Sequence, residues 1–240
     1  MKIRLNKFIA QSSEYSRRKA DELIKEGKVK VNGKITQEMG ILVDEKDKIL
    51  VENKPLLTQK KLYLIFHKPP GYITTKSDEK GRKTIYEFFP PHLQALKPAG
   101  RLDKDSSGLL FMTNDGLLIQ KMTHPSKKVA KTYRVVVKGK ITLKHLETLA
   151  NGIEIEKGKI AYATSTLESA TNEKSELEIV LYQGYNRQIR KMMEYINHPV
   201  ISLKRTNHAT LSLQGLKRGD YKFLSPKQLK ELQNHLAKKD

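Results

Sequence analysis

Residues 100–108, "GRLDKDSSG", crowd an arginine, two aspartates and two serines into nine positions. They run straight into the apolar burst Leu109–Met112, which Thr-Asn-Asp-Gly closes. A carboxylate beside a cation at the mouth of a buried strand could do several jobs. Asp103, Asp105 and Ser107 have the spacing of the first half of a calcium loop. The twelfth position is then Asn114, where a bidentate glutamate is required, and apolar residues fill the middle. A phosphotransferase of the D-x-D-x-[ST] type has its first aspartate directly after an apolar strand. Here Gly-Arg-Leu precedes it and the strand follows. The plainest alternative is a turn in which Asp103 and Ser107 cap backbone N–H groups. By itself the segment leaves these readings open.

Three other segments carry matching parts. "HKPPGYITT" (67–75) is a tight turn between apolar runs, and "KTYRV" (131–135) sets a tyrosine on a strand between cations. "YQGYNRQIRKMM" (182–193) ends a strand and opens a helix; residues 183–205 hold five Lys and Arg against one acidic residue. A carboxylate, an aromatic ring and a cationic helix start are what an extruded nucleotide needs: a group that reacts, a surface to stack on, a site for phosphate.

The overall charge agrees. The 240 residues carry a formal net charge of +20. Lys and Arg exceed Asp and Glu by 14 to 9 up to residue 60 and by 32 to 17 beyond it, so the excess is spread along the chain. That distribution favours an extended polyanion such as nucleic acid over a local anchor. Cysteine is absent, which excludes thiolate chemistry and Cys-ligated zinc, and the seven His show no metal-ligand spacing. Neither a metal nor a cofactor is expected. The start, "MKIRLNKFIA", lacks the apolar core of a signal peptide, and no apolar run is long enough to span a membrane; a cytoplasmic protein is expected.

The elements that must position these residues read as α+β. Leu5, Phe8 and Ile9 mark one face of a short helix. Ser16 is a candidate N-cap for a second, with Ala20, Leu23 and Ile24 inward and Gly27 as its stop. "VKVNGKI" predicts a hairpin turning at Asn32-Gly33, and "ILV" and "KILVEN" predict two more strands. Residues 53–61 read as a linker, dividing a domain at 1–58 from another at 62–240. Strands are predicted at "LYLIF", after the Pro-Pro-Gly turn, and at "GLLFMTN", "KTYRVVVKG", "KIAYATSTLES" and "SELEIVLYQG". Helices are predicted at "TLKHLETLANG", stopped by Gly152, and at "NRQIRKMMEYINH", with Ile189, Met192, Met193 and Ile196 inward. A terminal helix is predicted at 225–239, capped by Ser225 with Pro226 first. Strands and helices without β-α-β alternation argue for a mixed, mostly antiparallel sheet.

Two resemblances follow from these residues. "RLNKFIA…SRRKADELIKEGKVKVNGK" resembles the S4-like RNA-binding domain. This implies binding of structured RNA through a basic two-helix face bearing Arg4, Lys7, Arg17, Arg18 and Lys19. The segments K-P-x-G, G-R-L-D-x-x-S-x-G-L-L-x-x-T-N-D-G, K-x-Y-x-V and G-x-N-R-Q-I-R-K-M, in this order, resemble RsuA/RluB-type ribosomal RNA pseudouridine synthases. That family joins an S4-like domain to its catalytic domain and is an isomerase: it cuts the N-glycosidic bond of a uridine in RNA, rotates the uracil and rejoins it through carbon 5.

The resemblance implies Asp103 as nucleophile or base. Arg190 is then its ion-pair partner, and Tyr133 stacks on the uracil and takes part in proton transfer. Arg101 fills the space left by the flipped nucleotide, Arg187 meets RNA, and Ile189 and Leu203 line the pocket. Asp105, Ser106 and Ser107 are read as loop shapers. Tyr185 stands where the family pattern has Arg or Leu, and His208-Ala209 replaces its Ile-Gly. "THPSKK" (123–128) leans toward 23S rRNA, with 16S rRNA or a non-catalytic assembly role as alternatives; a monomer acting on rRNA, free or in a ribosome precursor, is expected.

Overall fold

The computed structural model describes residues 2–13, 15–44, 46–56 and 60–238. The expected domain end at 58 and Lys239 of the expected terminal helix lie outside them. The chain divides into two compact units. One is Met1–Lys61 with Asn114–Gly116; the other is Leu62–Thr113 with Leu117–Asp240.

In the first unit, helix α1 (Leu5–Ser12) buries Leu5 and Ile9. Helix α2 (Arg17–Lys25) starts where the Ser16 hydroxyl accepts from the Lys19 N–H at 3.0 Å, and it buries Ala20, Leu23 and Ile24. A four-stranded antiparallel sheet follows: β1 (Val29–Val31), β2 (Lys34–Thr36), β3 (Ile49–Val51) and β4 (Lys54–Pro55), in the order β2-β1-β3-β4. Asn32 and Gly33 both have positive φ, as a two-residue hairpin turn requires. The segment expected as a linker thus begins as a sheet edge, where Pro55 removes no needed donor.

The second unit is built on one sheet. Its path runs β10 (Thr164–Ala170), β11 (Lys174–Leu181), β7 (Lys131–Lys138), β12 (Val200–His208), β6 (Ser107–Thr113), β5 (Tyr63–Lys68) and β13 (Tyr221–Phe223). Along that path every neighbour is antiparallel except β12 and β6, which run parallel. A separate hairpin, β8 (Ile153–Glu156) and β9 (Lys159–Ala161), lies off it. Helices are α3 (Gly116–Thr123), α4 (Leu143–Asn151), α5 (Gln188–Tyr195) and α6 (Pro226–Ala237), the last capped by Ser225.

All seven residues of β6 are buried. Leu109 and Phe111 face a cluster completed by α3 and α6, while Leu110 and Met112 face one that includes Ile85, Leu93 and Leu96. A strand covered on both faces is apolar throughout, which is why "LLFM" shows no alternation.

Three expectations change. The strand predicted after the Pro-Pro-Gly turn is absent; residues 72–75 make one isolated bridge, Ile73 to Thr84. Their backbone bonds run to residues 83–85, the Ile73 N–H donating to the Lys83 carbonyl at 3.0 Å and the Ile73 carbonyl accepting from the Ile85 N–H at 3.1 Å. The 100–106 loop is met by the Thr74 hydroxyl, which donates to the Leu102 carbonyl at 2.8 Å, and by the preceding Gly71 N–H, which donates to that of Lys104 at 2.7 Å. "KIAYATSTLES" is broken into β9 and β10 at Tyr162-Ala163, where the Ala163 N–H turns to the Leu149 carbonyl. The strand β12 was not predicted, since Lys204 and Arg205 mask its alternation.

Gly108 lets β6 lie beside β12. Its φ is +119°, and a Cβ there would overlap the backbone of Arg205. Gly108→Ala is expected to cost about 3 kcal/mol from backbone strain and overlap. Thermal unfolding checks this; a midpoint unchanged from the parent would contradict it.

Candidate catalytic site

The 100–107 loop is held by its backbone. Lys68, the last residue of β5, is fully buried. Its ammonium donates to the carbonyls of Ser106 (2.8 Å), Asp103 (3.0 Å), Pro69 (3.1 Å) and Lys104 (3.4 Å). Burial lowers its pKa to about 8, against the opposing pull of the Asp105 and Asp103 charges. The Ser106 N–H closes the turn on the Asp103 carbonyl at 3.1 Å, and the Leu102 N–H is held by the Thr74 hydroxyl at 3.2 Å. Asp103 therefore sits on a rigid turn, half-buried, and its carboxylate has no hydrogen bond or ion pair among the described residues.

The neighbouring residues share one apolar cluster. Leu102, Tyr133, Ile189 and Leu203 all belong to it. Tyr133 points inward from β7 with Val135 and Val137, and stands opposite Arg205 of β12 and Ile179 of β11. Because β12 pairs with β7 on one side and with Ser107 and Gly108 on the other, it ties the tyrosine strand to the loop. Arg205 reinforces this: buried, it donates from Nε to the Leu109 carbonyl at 2.7 Å. Arg101 is exposed at the loop's start. In the first unit Arg4, Arg17, Arg18 and Lys19 are exposed and Lys7 is half-buried.

The expected Arg190–Asp103 ion pair is not formed. Arg190, buried on α5, places Nη2 3.0 Å from Asp105 Oδ2, and the same carboxylate oxygen lies 3.5 Å from Nη1 of Arg187. The turn explains the exchange. Lys68 gathers the carbonyls of residues 103, 104 and 106, whereas the Asp105 carbonyl accepts from Arg190 Nη2 at 3.4 Å. Backbone and side chain of Asp105 thus meet the same guanidinium. Asp105 is more than a loop shaper: it couples the loop to α5.

Asp105→Ala is accordingly expected to lower kcat at least about tenfold by loosening that coupling, with about 1–2 kcal/mol lost in stability. The cost is moderate because the Asp105 side chain is 47% exposed. Steady-state kinetics and urea unfolding check this, and parent-like kcat would show the pair to be incidental.

Lys68, Asp105 and Arg205 were missed in the sequence. Lys68 opens the K-P-x-G segment and continues the apolar run "YLIFH", yet it was given no role there. Asp105 looks there like a second copy of Asp103.

The comparisons with known proteins point the same way. Residues 62–195 match the RNA pseudouridylate synthase family and residues 3–49 the S4 domain. A Bacillus subtilis protein, ribosomal large subunit pseudouridine synthase B, is 45% identical over 95% of this chain and 95% of its own length. An Aquifex aeolicus RNA pseudouridine synthase is 36% identical over 97% of this chain and 94% of its own. A crystal structure of a pseudouridylate synthase superimposes with a TM-score of 0.69 at 27% identity, covering 96% of this chain and 99% of that one.

Proposed function

Because this chain belongs to the RNA pseudouridylate synthase family, with an S4 domain ahead of its catalytic domain, we propose that its substrate is a uridine in 23S ribosomal RNA and that Asp103 acts on it. The observation that carries the choice of RNA is the 45% identity, end to end, with a protein named for the large subunit.

The reaction is an isomerisation: the C1′–N1 bond breaks, the uracil turns, and C1′–C5 forms. A proton leaves C5 and one is taken up at N1, so composition is unchanged. Positive charge develops at the sugar and negative charge on the base. A fixed carboxylate can meet the first without a metal or redox group. Asp103 suits that part because its backbone is clamped while its carboxylate is uncommitted. Tyr133, 9% exposed at the edge of its cluster, supplies the ring against which the uracil stacks, with Ile189 and Leu203 behind it. Arg101 fills the space left by the extruded nucleotide, and Arg187 binds RNA from the start of α5. Arg4, Lys7, Arg17, Arg18 and Lys19 hold RNA phosphates on the S4 unit. The same reading has a cytoplasmic monomer acting on rRNA, free or within a ribosome precursor.

The test is to incubate the purified protein with 23S and 16S transcripts and map pseudouridine by position. A new pseudouridine in 23S is expected. Modification of 16S alone would replace the target, and binding without modification of either would replace the reaction.

A further inference from the structure

The chain has ten tyrosines, and among the described residues the exposed ones are Tyr162, Tyr182, Tyr185 and Tyr195. Tyr162 follows β9. Its ring lies across Gly152, where a Cβ would come within 2.6 Å of Cε1, so one side is braced while 49% of the residue stays exposed.

A polar network fastens this surface to the catalytic helix. The Tyr162 N–H donates to Gln183 Oε1 at 2.9 Å, and Gln183 Nε2 donates to the Ile160 carbonyl at 3.2 Å. Buried Gln188 donates to Gln183 Oε1 at 3.2 Å and accepts from the Tyr185 N–H at 3.2 Å. Gln188 is the first residue of α5, between Arg187 and Ile189. Glu156 pairs with Lys159 on the hairpin and with Lys191 on α5, and those two ammonium groups hold its carboxyl at about 2. Apart from Ile160, the exposed neighbours of the rings include the cations Lys157, Lys159 and Arg187. Rings interspersed with cations suit bases and phosphates, since every base has a face to stack and each flanking phosphate a charge to meet.

We propose that Tyr162 and Tyr185 form a stacking platform for an unpaired nucleotide of the substrate RNA beside the target uridine. The proposal rests on the reading of the site as an RNA uridine isomerase. Tyr185 stands where the pattern this segment resembles has Arg or Leu, and on this proposal its ring helps decide which RNA the chain takes.

The test measures affinity for a 23S rRNA transcript, its salt dependence, and kcat and KM, for Tyr162→Ala, Tyr185→Ala and the matching Phe variants. Each Ala variant is expected to raise Kd and KM about tenfold with kcat held. The slope of log Kd against log salt stays that of the parent, because no phosphate contact is lost. Each Phe variant restores affinity, and unfolding midpoints stay together. Ala variants that bind like the parent, or Phe variants as weak as Ala, overturn the platform. So does a loss seen only on ribosomal particles and not on the naked transcript, which assigns the face to protein. A parent that binds without making pseudouridine refutes the reaction instead, and the affinity series still decides the platform.

Discussion

Asp103→Asn is expected to abolish pseudouridine formation, by at least about 10,000-fold in kcat/KM, while its Kd for 23S rRNA stays within about twofold of the parent. The two effects separate because the carboxylate and the RNA-holding charges are different groups. Asparagine is nearly isosteric with aspartate and keeps the 103–106 turn, whose bonds run through the Asp103 carbonyl and not its carboxylate. The carboxylate makes no ion pair among the described residues, so its removal strands no partner. The unfolding midpoint should therefore move by less than about 2 °C. RNA affinity comes from a chain with a net charge of +20, to which one carboxylate contributes little. An Asn variant that retains a tenth of the parent rate would remove Asp103 from the chemistry.

Lys68→Met is expected to lower kcat about 100-fold while KM changes little, because the loop carrying Asp103 loses its clamp and a misplacement of about 1 Å costs that much. Stability should fall by only about 2 kcal/mol. The carbonyls of residues 103 and 106 lose their donor, but the variant no longer has to bury an ammonium. The same lysine predicts a pH effect. Its pKa of about 8 lies well below the usual 10.5, so the ammonium is lost just above neutral pH. A neutral amine has one donor fewer for the same carbonyls, and kcat/KM should decline through an alkaline limb near pH 8. Stability should move the other way. Between about pH 8 and 10.5 the unfolded chain binds more protons at this residue than the folded one, so its contribution to stability rises with pH. The pH–rate profile of Lys68→Met should lack that limb; a limb that persists in the variant would assign it to another group.

Local chemistry was readable wherever a few neighbouring residues decide it. Ser16 with Ala20, Leu23 and Ile24 specified α2, Asn32-Gly33 specified a hairpin, and Ser225-Pro226 specified the start of α6. The buried strand after the loop was equally plain. What was not readable depends on contacts between distant residues. Arg190 is 85 positions from Asp105 and finds it, not Asp103, because the turn directs the carbonyls of residues 103, 104 and 106 to Lys68 and leaves the Asp105 carbonyl to the arginine. The run after Pro-Pro-Gly has strand composition, yet it makes one isolated bridge to residues 83–85 and spends the Thr74 hydroxyl on the Leu102 carbonyl. Strand β12 is central, yet Lys204 and Arg205 lie within it; Arg205 is tolerated there because its Nε reaches the Leu109 carbonyl.

The most direct measurement is pseudouridine mapping of both ribosomal RNAs from a strain lacking this protein, complemented with the parent or with Asp103→Asn. The expected result is one pseudouridine site in 23S rRNA that disappears in the deletion, returns with the parent and stays absent with the asparagine variant expressed at the same level. Return of the modification with Asp103→Asn, or no difference between the deletion and the parent in either RNA, would contradict the assignment of uridine isomerisation to Asp103.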